Sequence, residues 1–85
     1  MKTYAFSVVL NEHEATEEMA NALFAAGCDD CVPGESHGVV MVHFDRESDA
    51  MESAVMSAVR QIIAAGYKVK RVEIDEEEVA SLLSR

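Results

Sequence analysis

Basic side chains are scarce: seven Lys and Arg stand against sixteen Asp and Glu, a formal charge of −9 over 85 residues. A surface of that sign repels a phosphate backbone, so these residues are not expected to hold DNA or RNA by themselves. Long apolar runs are absent too. The longest spans about half a dozen residues, far below the roughly 18–20 that cross a bilayer. The N-terminus, MKTYAFSVVLNEHE, has no small-residue cleavage site of the secretory kind. Two cysteines without such a signal make a poor disulfide scaffold and are expected as reduced thiols. These absences predict a cytoplasmic protein with no membrane partner. Catalytic signatures are also missing: no Ser/His/Asp order, no Gly-rich phosphate loop and no close carboxylate pair with an obvious pocket. A non-enzymatic role without a cofactor is the expectation.

What is present is globular. Apolar residues make up 49% of the chain and charged residues 27%, away from the disordered class. A chain of this length forms one domain and buries roughly 60–70% of its unfolded surface.

From Tyr4 to Leu10 the residues alternate, with Tyr4, Phe6, Val8 and Leu10 on one face of a strand and Ala5, Ser7 and Val9 on the other. Thr16 then stands as a helix N-cap. Glu17 and Glu18 favour the positive end of the helix dipole, Met19, Ala22, Leu23 and Ala26 form an apolar stripe, and Gly27 stops the helix. A short strand around Cys31 and Val32, a turn over Pro33-Gly34-Glu35-Ser36-His37-Gly38 and a strand from Val39 to Phe44 read as a hairpin. Asp49 with Glu52 three residues later resembles a capping box. Behind it Met51, Val55, Ala58, Val59 and Ile62 pattern a second helix that ends at Gly66. Tyr67 to Ile74 is a fourth strand in which Val69 and Val72 can share a face only across a bulge or in a weak register.

The order βαββαβ predicts an α+β, ferredoxin-like sandwich over residues 1–75: two helices on one face of a four-stranded antiparallel sheet, with the first and third strands central. Residues 76–85 are expected as a short C-terminal helix with Glu76, Glu77 and Glu78 in its first turn and Val79, Leu82 and Leu83 along one edge. If Phe6, Val8, Val40, Val42 and Phe44 face the helices, then Val9, Val39, Met41 and His43 face away. That uncovered, partly apolar face is the candidate oligomer interface.

Cys28 and Cys31 have the spacing of metal and dithiol sites, but the pair closes a helix instead of opening one. The negative end of the helix and Asp29 and Asp30 disfavour a thiolate there, which speaks against redox catalysis. Cys28, Cys31 and His37, with His43 as a further donor, remain a minority candidate for a metal site, although the histidines are isolated and not clustered. His13, between Glu12 and Glu14, reads as solvated. His43 could respond to pH within an interface. Asp45-Arg46-Glu47 reads as a solvated loop, with Arg46 functional only beside an anion. Lys68, Lys70 and Arg71 suit the blocking of a sheet edge better than the grip of nucleic acid.

The segments TEEMANALFAAGCDD, GVVMVHFDRES, SAVRQIIAAG and VKRVEID resemble a small uncharacterised bacterial family in which a ferredoxin-like domain precedes a helix-turn-helix. The resemblance covers nearly the whole chain, and LFAAGCDD and FDRE are its most specific pieces. Cys28 fits the pattern. Cys31 departs from it, standing where a small apolar residue is usual, so a two-thiol site is not a family property. The resemblance implies that DEEEVASLLSR begins a DNA-binding unit whose groove-reading helix lies beyond Arg85. The expected function is thus an oligomerisation or sensing module of a bacterial DNA-binding transcriptional regulator, a homo-oligomer through its open sheet face. The alternative is a small-ligand or metal-binding domain that uses Cys28, Cys31 and nearby His.

Overall fold

A computed structural model describes residues 2–74. The helix expected over 76–85 lies outside the described residues. The elements follow the order β1 (Lys2–Leu10), α1 (Glu17–Ala25), β2 (Cys31–Ser36), β3 (Val39–Ser48), α2 (Met51–Ala64) and β4 (Val69–Ile74). The four strands form one antiparallel sheet in the order β2-β3-β1-β4, so β1 and β3 are central. This α+β arrangement is compatible with a ferredoxin-like fold. No helix among the described residues is long and apolar enough to cross a membrane.

One sheet face makes the core. Tyr4, Phe6, Val8 and Leu10 of β1 and Val40, Val42 and Phe44 of β3 share a buried cluster with Met19 and Leu23 of α1 and with Met51, Ala54, Ala58 and Ile62 of α2. Both helices therefore cover the same face. Phe6 and Phe44, opposite each other in the β1–β3 register, stack with ring centroids 5.3 Å apart. Such stacked pairs add to the area they bury.

Local chemistry explains the helix ends. The Thr16 hydroxyl accepts a hydrogen bond from the Met19 amide at 3.1 Å, satisfying a donor that the helix leaves free. Gly27 follows α1 at φ 101°, a conformation that costs a side-chain-bearing residue energy. The start of α2 differs from the expected capping box: the cap position is Ala50, which offers no side-chain acceptor, and Asp49 lies one residue too early.

The hairpin turn is also tighter than the glycine and proline suggest. Pro33 to Ser36 belong to β2, and only His37 and Gly38 make the turn, with φ 53° and 75°. Positive φ at both central residues is the conformation whose twist suits a two-residue hairpin. Pro33 is tolerated because β2 is an edge strand, where a missing N–H can face outward. At the opposite edge the β1–β4 register shifts between Val9 and Leu10. That irregularity lets Val69 and Val72 both pack against the core.

Candidate functional site

Among the described residues, no helix covers the second face of the sheet. Its residues are fixed by register: Ser7 lies between His43 and Glu73, and Val9 lies between Met41 and Arg71. On the outer pair of strands Val32 stands opposite His43, Gly34 opposite Met41 and Ser36 opposite Val39. Because Gly34 has no side chain, a depression of about 300 Å³ opens there, lined by Ser7, Val32, Gly34, Met41 and His43 among others. Val32 rises beside it, 68% exposed.

The four expected interface residues are brought together on this face, but not equally. Val39, Met41 and His43 are partly exposed, whereas Val9 is 0% exposed and forms the floor between its neighbours. Ser7 is likewise buried, its Oγ 3.2 Å from His43 Nδ1. On the other side of the ring, His43 Nε2 is 3.5 Å from Asp45 Oδ2. A Ser7–His43–Asp45 line thus exists in space although no triad order is present in the sequence. Strand alternation, which puts His43 and Asp45 on one face, was the only signal for it. The backbone around Ser7 adds no oxyanion donors to this line. Both edges of β1 are engaged by neighbouring strands, so the backbone amides near Ser7 are committed to the ladders and cannot form an oxyanion hole. The contact orients His43 on the sheet.

The cysteines lie on the other side, under the helices. Cys28 is buried, with its Sγ 3.5 Å from Gln61 Oε1, and the Cys31 thiol lies 3.2 Å from the Cys28 carbonyl. Burial is the main reason that both thiols are pushed up, opposed at Cys28 chiefly by the Arg46 guanidinium, and at Cys31, which rises to about 11, reinforced by Cys28 and Asp30. The expected suppression of thiolate is present. Its principal cause is desolvation, not the helix end or the aspartates. His37 sits in the turn beyond Ser36, at the opposite end of β2 from Cys31. Among the described residues no group of three His, Cys, Asp or Glu converges as a metal site would require. An open acidic depression of about 440 Å³ beside Glu12, Glu14, Glu18 and Tyr67 likewise offers no such group.

Arg46 corrects the sequence reading most sharply. It belongs to β3, not to a solvated loop, and is 9% exposed. Its Nε and Nη2 each donate to an Asp30 carboxylate oxygen at 2.8 Å, and Nη1 donates to Ser57 Oγ at 3.0 Å. The guanidinium also lies over the Phe44 ring, 5.0 Å from its centroid. The anion that Arg46 needs is therefore Asp30. The bidentate bond holds the Asp30 carboxyl below the usual carboxylate range. The β-period could have revealed that Arg46 faces the core, since Val40, Val42, Phe44 and Arg46 fall on one face, but not which anion meets it there.

No family model, curated protein or solved structure matches the chain.

Proposed function

We propose that this chain is a non-enzymatic, ferredoxin-like oligomerisation or sensing module of a bacterial DNA-binding regulator, and that it associates with itself through the uncovered sheet face. The observation that carries the reading is the asymmetry of the sheet. One face is sealed by two helices, while the other offers Val32 and Met41 around a depression at Gly34, with Val39 on the same face. Apolar residues grouped on an open sheet, rimmed by charge, are what a partner surface looks like before it is covered. The net charge of −9 supports the assignment of DNA contact to a region beyond Arg85.

Light scattering tests the first half. The wild-type chain is expected to run as a dimer at high micromolar concentration, and Met41→Lys as a folded monomer, because an ammonium at Met41 would be buried without a partner. A wild-type monomer under those conditions sinks the self-association reading. The regulator half is tested by the natural reading frame: a basic helix-turn-helix after Arg85 supports it, and an immediate stop codon overturns it. The metal-binding alternative is not favoured, because the turn at His37 and the thiols at Cys28 and Cys31 lie at opposite ends of β2.

A further inference from the structure

Two rows of side chains cross the open face. The first contains Val32, His43, Ser7 and Glu73, which are successive cross-strand partners on β2, β3, β1 and β4. The second, two residues along each strand, contains Gly34, Met41, Val9 and Arg71. The rows are complementary in kind. Val32 is an exposed apolar knob and Gly34 leaves a hole. Glu73 is an anion and Arg71 a cation, both about half exposed and joined within one chain by an ion pair of 3.0 Å.

We infer that the partner of this face is a second copy turned about a twofold axis that lies in the interface, perpendicular to the strands and midway between the two rows. The inference rests on the self-association reading above and adds its register. The 180° turn places each copy's first row over the other's second row. Val32 then enters the gap at Gly34 of the second copy, and His43 meets the Met41 thioether. At the edge, Glu73 of each copy stands over Arg71 of the other, so the two ion pairs merge into a four-charge rectangle. Opposite charges meet although each chain is strongly acidic.

The shape is suited to this turn as well. A sheet with the usual twist is saddle-shaped, and rotation about an in-plane axis perpendicular to its strands gives a second saddle that runs parallel to the first. The spacing of about 10 Å between stacked sheets can therefore be kept across the whole face. An isologous contact of this kind closes as a dimer and leaves no free copy of the surface.

Sedimentation equilibrium on the full chain tests the register with variants that leave the fold intact. A Cβ at Gly34 would find only the Met41 carbonyl oxygen, at an ordinary 3.9 Å, so the monomer accommodates a side chain there. Gly34→Val fills the hole and is expected to weaken dimerisation about tenfold or more. Glu73→Arg places like charges at both edges and is expected to weaken it comparably, even though it moves the net charge from −9 to −7 and so lessens general repulsion. Combining Arg71→Glu with Glu73→Arg restores opposite charges and is expected to return affinity to within about threefold of wild type.

Dimerisation that survives Gly34→Val and Glu73→Arg unchanged, but is lost in Met41→Lys, would overturn the register while leaving the face in place. A monomeric wild-type chain overturns both. Glu73→Arg tightening the dimer would show that net charge, not the Glu73–Arg71 opposition, governs the contact, and would likewise overturn the register.

Discussion

Removing the Asp30 carboxylate leaves the Arg46 guanidinium buried with Ser57 as its remaining side-chain acceptor. Such an uncompensated charge is costly. Fully buried pairs lose about 3–5 kcal/mol when one partner goes, and partial exposure of Asp30 lowers the expectation for Asp30→Ala to about 2–4 kcal/mol, measured by urea denaturation. The pair also has a pH signature. Because the folded state holds the Asp30 carboxyl low, its contribution is complete above the ordinary carboxylate range and is lost as pH falls through the depressed value. Asp30→Ala should therefore flatten the acid limb of the stability profile. The thiols carry the opposite sign. With Cys31 pushed up to about 11, the folded state favours the neutral thiol, a contribution present below about pH 9 and lost as pH rises toward 11. At pH 8, native Cys31 is expected to react with iodoacetamide about two orders of magnitude more slowly than an unperturbed thiol, read by mass spectrometry. Labelling at the rate of the urea-unfolded chain would contradict this.

At the scale of elements, the two helices begin differently. Thr16→Ala removes a formed cap and is expected to cost about 1 kcal/mol, whereas Asp49→Ala should change stability by less than about 0.5 kcal/mol because Asp49 is not at the cap. Ala50→Asp supplies the acceptor that α2 lacks and is expected to stabilise by about 0.5–1 kcal/mol, seen as a raised thermal midpoint. These ends also show where a sequence speaks clearly. The alternation from Tyr4 to Leu10, the Thr16 cap and the glycines at 27 and 66 declare themselves through local chemistry, and the elements they bound are where the patterns place them. Asp49 and the Pro33-Gly34 turn misled for one reason: each residue has a strong local preference that tertiary pairing overrode. β3 carries Asp45, Arg46 and Glu47 as strand because β1 pairs with them as far as Lys2, and β2 keeps its proline because its outer edge is free. The open face was legible from alternation, but the burial of Val9 and the Arg46–Asp30 bond depend on which strands and loops come to lie beside them. Periodicity within one segment cannot supply that.

For the whole molecule, the dominant long-range force is self-repulsion. Two copies at −9 each repel one another at a distance, whereas the opposition of Glu73 and Arg71 acts only across the contact itself. Salt shortens the reach of that repulsion from about 10 Å at 0.1 M to about 3 Å at 1 M. Dimerisation is therefore expected to tighten severalfold as sodium chloride rises over that range, followed by light scattering, whereas an interface dominated by ion pairs would loosen.

The strand order has a consequence in time. β1 is made before either of its sheet partners, for its two edges are paired by β3, which ends at Ser48, and β4, which ends at Ile74. At about 5–20 residues per second, a ribosome takes roughly 2–8 s to go from Leu10 to Ser48, and longer still to Ile74. Throughout that interval the nascent chain holds an unpaired apolar strand with two open edges, the form most prone to pair wrongly with a neighbour. A slower ribosome between Leu10 and Ser48 is therefore expected to lower the share of chains that reach the native sheet, whatever that sheet's final stability.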